Sequence, residues 1–381
     1  MTTTPCFIIP PHLLQRLAQD DDRRVAECAQ HTLALRPEVA ARRSVKAAHS
    51  GPDREARGNT GIIPPDLRSR ARTAITTTPD ADQNDAAAVD VAPKRAIHDA
   101  GNSTALPGEL VRAEGDPAVE DSDANEAYEG LGHTFDLFAD IYGRNSLDDR
   151  GLALVATVHY DRNYANAIWD GEQMIFGDGD GVLLASMTDS VDIIAHELAH
   201  GITQYTAGLT YVAQPGALNE SVSDVFGSLV KQRILGQTAE QADWIIGANL
   251  YAEGINGVGL RSMKAPGTAY DDPRIGKDPQ PASMTDYQDL PHDEEHDNGG
   301  VHINSGIPNR AFYLAATAIG GHAWERAGQI WYDVLTSRTL PKDSDFATFA
   351  RATITAAGDR FGQGSTEQQA VEQGWAGVQV L

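Results

Sequence analysis

The sequence predicts an α+β chain of two lobes: a β-rich mixed N-terminal lobe, then a helical C-terminal lobe, with a short helical segment ahead of both. Residues 93–190 mix strand signals, LALVATVHY and EQMIFGDG, with one long helical stretch at roughly 117–142. Residues 191–381 carry several helical patterns and few strand signals. Hydrophobic residues make up 41% of 381, enough for a sizeable core in domains of ~150 residues each.

The front of the chain reads as a unit of its own. Within residues 1–40, the zone 5–40 begins with CFIIPP, continues with PHLLQRLA as a short amphipathic helix, and starts a second helix at the acidic turn Asp20–Asp22. The expectation is a small helical hairpin. Residues 41–92 carry Arg42-Arg43 and then Gly, Pro, Thr, Asp and Ala with little periodicity, which predicts a flexible linker open to proteolysis. The first lobe is placed at 93–203 and the second at 204–381, with one irregular stretch near 262–300 and no internal repeat.

Composition excludes several function classes. Asp and Glu number 54 against 30 Lys and Arg, a net charge of -24, which repels nucleic acid and anionic membrane surfaces. The longest apolar runs fall short of the ~20 residues that cross a bilayer. The first residues lack a basic region and are interrupted by Pro10 and Pro11, so no ordinary secretory signal is expected. Both cysteines, Cys6 and Cys28, lie in the first thirty residues, so the lobes hold no disulfide.

The chemistry is concentrated in DIIAHELAHGITQY. His196 and His200 are four residues apart, ~400° around a helix, so both rings leave one face and can share a zinc ion at ~2.1 Å. Glu197 beside them can reach a water on that ion. The bland alternative is two surface histidines, but the apolar flanks Ile193, Ile194, Leu198 and Ala199 argue for burial. A catalytic zinc wants three protein ligands and one open position. Glu220, in GALNESVSDVFGSLV, supplies the third, and Asp224 one turn on can orient a ligand histidine. A solvated helix face is the alternative; Val222, Val225, Phe226 and Leu229 speak against it.

These two blocks resemble the thermolysin-like zinc metallopeptidases, as do NYANAIWDGEQMIFGDGDG, LRSM and DNGGVHINSGIPNRAFYL. The blocks appear in the family's order over most of residues 93–381. The resemblance implies a zinc-dependent endopeptidase that acts on peptide or protein substrates, with Glu197 as general base toward a zinc-activated water. It implies that Tyr211 and His302 stabilise the oxyanion and that Asp297 orients His302; outside this setting His302 would pass for an ordinary loop histidine. Asn166 and Ala167 match the edge segment on which substrate is laid, and Arg261 matches the arginine that binds the carbonyl just past the cut, with a structural ion pair as its plainer role. Leu184, Met187, Ile193, Ile246, Leu250 and Leu260 match the pocket for the residue after the cut. All are apolar, so a hydrophobic side chain is expected there.

Two features depart from the general pattern. Asp192 and Asp243 match calcium-binding positions, but Lys231, Ile245 and Ala248 stand at three others and Val258 at a further site. A lysine and apolar side chains do not ligate calcium, so the double calcium site is expected to be absent, with a single weaker ion left open. The front of the chain, CFIIPPHLLQRLA, resembles the protealysin-like subgroup, which implies a short propeptide lying in the cleft as an intramolecular inhibitor. Cys6 is then a candidate zinc ligand; a small buried residue or a Cys6–Cys28 disulfide are the alternatives. Processing within 41–92, secretion (with a cytoplasmic protein as the alternative) and a monomeric state complete the expectation. The rival from another class is a catalytically silent zinc-binding interaction protein.

Overall fold

The structure is a computed structural model that describes residues 6–49 and 91–381. One sheet organises the first lobe. Its strands are β1 (Cys6–Phe7), β2 (Arg95–Ser103), β3 (Glu109–Ala113), β4 (Leu154–Tyr160), β5 (Ala167–Trp169) and β6 (Met174–Phe176), in the order β1-β5-β6-β4-β2-β3. β4 reads LVATVHY and sits between β2 and β6, parallel to both. A strand covered on both faces is a near-continuous apolar run, as this one is. β5 and β6 pair antiparallel.

The helix α3 (Ser122–Tyr142) packs on this sheet. Its start is five residues later than the spacing suggests, because Asp121 caps it by accepting from the amides of Asp123 and Ala124. Gly143, at φ 67°, ends it in a left-handed turn that favours glycine. Asp121 also faces His159 Nε2 at 2.9 Å, and Asp178 faces Nδ1 at 2.8 Å. The hydrogen bond to Asp178, with Asp121 adding to it against burial, raises the His159 pKa to about 10.

At the front, α1 (Pro11–Leu17) and α2 (Arg23–His49) form the expected hairpin, with Pro11 at a helix start that has no amide to lose. CFIIPP differs from expectation: β1 is a strand, paired antiparallel with β5 through Cys6↔Trp169 and Phe7↔Ile168. The linker boundary also shifts. α2 continues through His49 with Pro37 inside it, so the first nine residues expected to be flexible are helical. The remainder of that stretch, with the processing site placed there, lies outside the described residues. Asp20 fixes the hairpin to the body through two bonds from Arg274, at 2.6 and 2.8 Å.

Two helices carry the HELAH and GALNESVSD blocks: α4 (Val191–Tyr205) and α5 (Ala213–Leu235). Both are buried along most of their length, so their polar side chains face each other or a partner. The second lobe continues through β7 (Ile245–Ile246), β8 (Arg261–Ser262), β9 (Asp271–Asp272), β10 (Gly276–Lys277) and the helices α6 (Asp297–Asn304), α7 (Gly306–Ile319), α8 (Ala327–Thr336), α9 (Phe346–Phe361) and α10 (Thr366–Gly377). Its core includes Trp331 stacked on Trp375, with Phe312 and Phe349 edge-on to Trp331. Among the described residues no helix is long and apolar enough to cross a membrane.

The approach of α4 to α5 is set by Gly227. A Cβ there would lie 2.5 Å from the Asp192 carbonyl oxygen. Gly227→Ala is therefore expected to push the helices apart and to destabilise the fold by about 1–3 kcal/mol, as overpacking does. Chemical denaturation of the two proteins measures this; an unchanged midpoint would refute the close crossing.

Candidate metal centre

Four residues of α5 face two of α4. His196 Nδ1 lies 2.8 Å from Asp224 Oδ1, and His200 Nδ1 lies 2.8 Å from Asn219 Oδ1. Ser223 Oγ is 3.1 Å from the same His200 nitrogen. Asp224 is an acceptor, and Asn219 uses its amide hydrogen on the Leu209 carbonyl. When neutral, each imidazole therefore keeps its proton on Nδ1 and turns its Nε2 lone pair inward. The two Nε2 atoms are 3.0 Å apart. Glu220 sets one carboxylate oxygen 3.4 Å from each of them.

This donor set fits a cation. Three groups with lone pairs converge, all buried, and Glu220 Oε2 has no hydrogen-bond donor. Burial pushes the Glu220 carboxyl up, but the charges of His302, His200 and His196 outweigh it and hold it well down. Burial likewise opposes a charge on His196, yet Asp224 and Glu220 lift its pKa to about 9. The cluster thus favours one more positive charge, and two nitrogens with a carboxylate are the ligand types zinc takes. His196, His200 and Glu220 would hold it.

Asp224 is the hub behind these ligands. Its Oδ1 also accepts from Arg261 Nη2 at 2.7 Å, and its Oδ2 accepts from Arg261 Nε and Asn309 Nδ2, both at 2.8 Å. Burial alone would raise its pKa; Arg261 and His196 lower it to about 2. Asn219 and Asn309 were missed by sequence reasoning. Asn219 stood next to Glu220 and could have been suspected, but nothing in the sequence links Asn309, 85 residues on, to Asp224.

The other predicted residues gather around this centre. Glu197 Oε2 accepts from the Trp169 amide at 2.8 Å. Tyr211 Oη donates to Glu220 Oε1 and lies 3.4 Å from His302 Nε2. His302 is held by Asp297, which accepts from its amide at 2.8 Å and from Nδ1 at 2.6 Å. That return contact needs a tight bend, and DNGG provides it: Asn298, Gly299 and Gly300 have φ of 51°, 85° and 73°. Burial opposes charge on His302, but Asp297 and Glu220 outweigh it and raise its pKa. Leu184, Met187, Ile193, Ile246, Leu250 and Leu260 all lie in the main buried cluster.

The front strand runs through the same space. Cys6 Sγ, a His200 nitrogen and a Glu220 oxygen lie within 4.8 Å of one another. The Phe7 carbonyl oxygen is 2.6 Å from His302 Nε2. The Ile8 amide donates to Ala167 O at 3.1 Å, and the Ile8 carbonyl accepts from Arg261 Nη1 at 3.3 Å. Asn166 accepts from the Ile9 amide at 3.0 Å and donates to the Ile9 carbonyl at 3.2 Å. Arg261 thus makes both the ion pair and the main-chain contact. Cys6 and Cys28 are not joined; Cys28 Sγ instead faces Asn163 O at 3.2 Å, and burial pushes its thiol up to about 12.

Residues 69–204 match the family model described as "Thermolysin metallopeptidase, catalytic domain", and residues 207–380 match "Thermolysin metallopeptidase, alpha-helical domain". The "Extracellular metalloprotease" of Pectobacterium carotovorum subsp. carotovorum is 49% identical over 98% of this chain and 96% of its own. The chain belongs to the thermolysin family of metallopeptidases. The "Protease PrtS" of a Photorhabdus species is 51% identical over 76% of this chain and 77% of its own. Among solved structures, the precursor of protealysin from Serratia proteamaculans is 48% identical with a TM-score of 0.81, over 99% of this chain and 100% of that one. The protein is a zinc metalloendopeptidase with a thermolysin-like fold, of the protealysin-like subgroup.

Within a thermolysin-like centre, the hydrogen bond from His196 to Asp224 tunes the ligand. Asp224→Asn is expected to weaken zinc binding about 10–100-fold, as loss of such a partner does. Competition with a chromophoric chelator measures it; wild-type affinity would remove Asp224 from the metal's support.

Proposed function

We propose that the chain is the zymogen of an endopeptidase that cuts on the N-terminal side of hydrophobic residues, inhibited by its own leader, residues 1–40. The observation that carries this is the front strand, laid along β5 with its carbonyls on His302 and Arg261. Zinc held by His196, His200 and Glu220 would supply a Lewis acid for the peptide carbonyl and lower the pKa of a water. Glu197 takes the proton of the attacking water and passes it to the leaving nitrogen. His302, charged by Asp297, and Tyr211 donate toward the oxygen where negative charge grows. Asn166, Ala167 and Arg261 hold the substrate main chain extended, which disfavours a small ester or amide as substrate. The apolar pocket seats the side chain after the cut and leaves a charged one desolvated without a partner.

Tyr211 and His302 beside Glu197 disfavour a silent interaction protein, which gains nothing from two oxyanion donors next to a base. Processing in 41–92 separates leader from lobes, and the "Extracellular" relative supports export of this chain. Recovery of the protein from cells alone, never from the medium, would count against export.

We also infer that Lys231 replaces the double calcium site. Its ammonium lies 3.0 Å from Asp192 and from Asp243, and it donates to the Ile245 carbonyl. An ammonium bonded to both carboxylates supplies part of the positive charge that calcium would bring and occupies the space between them.

Two measurements test these readings. The processed enzyme should cut a peptide with Leu after the scissile bond faster than one with Asp. Glu197→Gln should slow both about a hundred- to ten-thousandfold with zinc retained; equal rates on the two peptides, or an active variant, would reject the reading. Calcium added at millimolar concentration should leave the thermal midpoint of the wild-type chain nearly unchanged, and a rise of many degrees would restore a calcium site.

A further inference from the structure

We infer that the leader sits in the cleft as a substrate, in productive direction and register, and that the Phe7–Ile8 peptide bond is the one presented for hydrolysis. This rests on the proteolytic reading above.

The register follows from which atom meets which group. A peptide about to be cut needs its scissile carbonyl oxygen at the oxyanion donors, and that oxygen here is Phe7 O, 2.6 Å from His302 Nε2. The next carbonyl along the chain, Ile8 O, is the one Arg261 receives, and the amide between them, Ile8 N, donates to Ala167 O. Asn166 then closes on both main-chain groups of Ile9. A strand shifted by one residue would turn every side chain to the opposite face. Ile8 and Ile9 both belong to the main buried cluster that also holds Met187, Ile193, Ile246, Leu250 and Leu260, while Phe7 lies in a separate cluster with Tyr160, Tyr164 and Ile168, so the main-chain contacts fix the register. Ile8 is also the kind of residue the pocket favours. A strand merely plugging the cleft has no reason to satisfy every one of these contacts.

A bond so placed survives only if something withholds the water. Cys6 does this. The strand that brings Phe7 O to His302 also brings the Cys6 thiol to the corner between His200 and Glu220, where the attacking water belongs. The oxyanion donor Tyr211 is meanwhile turned to Glu220. The inhibitor and the block on its destruction are thus adjacent residues of one strand.

With Cys6 removed, water can enter. Its oxygen bonds to the Phe7 carbonyl carbon and the C–N bond to Ile8 breaks, its electron pair staying on nitrogen. One water proton travels through Glu197 to that nitrogen, and the second follows it there as the new Phe7 acid ionises. The products are a Phe7 carboxylate and an Ile8 ammonium, with no other reactant.

The test uses the full chain with Cys6→Ala, purified with chelator and then given zinc. Intact mass and N-terminal sequencing should show loss of residues 1–7 and a new terminus at Ile8. In Cys6→Ala/Glu197→Gln the chain should stay whole, with the Ile8 and Ile9 amides still slow in hydrogen exchange, which reports a seated strand without relying on turnover. Wild-type chain loaded with cobalt should show a sulfur-to-metal charge-transfer band that Cys6→Ser and Cys6→Ala lack. A Cys6→Ala chain that cuts an added peptide yet keeps Phe7–Ile8 intact, or cuts itself first elsewhere in the leader, overturns the register while the proteolytic reading stands. A zinc-loaded Cys6→Ala chain that cuts neither leader nor peptide overturns both, and fast exchange at Ile8 and Ile9 or an absent cobalt band overturns the inference alone.

Discussion

The fold turns on one buried carboxylate. Asp224 joins α4 through His196, β8 through Arg261 and α7 through Asn309, all from its place on α5. An ionised carboxylate deep in a protein is costly unless its lone pairs are met, and here each oxygen accepts two hydrogen bonds. The same contacts fix the neutral tautomer of His196 and the direction of Arg261, which meets the extended front strand at Ile8. Stability and site geometry therefore cannot be varied separately at this residue.

Around that hub, helix packing does the positioning. Gly227 lets α4 and α5 approach until His196, His200 and Glu220 converge. The DNGG bend lets Asp297 reach back to His302, with a run of left-handed backbone that few other residues would tolerate. The outer side of the α4–α5 pair is closed by Lys231 between Asp192 and Asp243.

Much of this is legible in the sequence because short spacings on helices fix geometry. HELAH and NESVSD each determine which side chains share a face, so the convergence of His196, His200, Glu220 and Asp224 follows from residue type and spacing. The two-lobed architecture follows from the change in periodicity near residue 190. What the sequence hides depends on contacts between distant segments. Asn309 reaches Asp224 across 85 residues, and CFIIPP forms a strand only because β5 offers it an unpaired edge. Composition alone ends the second leader helix near residue 40, yet α2 runs past Pro37 to His49. The helical pattern from residue 117 places the start of α3 too early, because the side chain of Asp121 takes the cap.

The sheet has a further consequence at its outer border. β1 satisfies the outward amides and carbonyls of β5. Were the proposed processing to remove that strand, the border would become a row of unmet donors and acceptors, and whatever filled it would itself have to be a free, straightened length of backbone. Helices and interior strands have already committed those groups elsewhere. Such a border would sort its visitors by conformation before any side chain is consulted, sparing well-folded neighbours and admitting loops, frayed ends and unravelled chains.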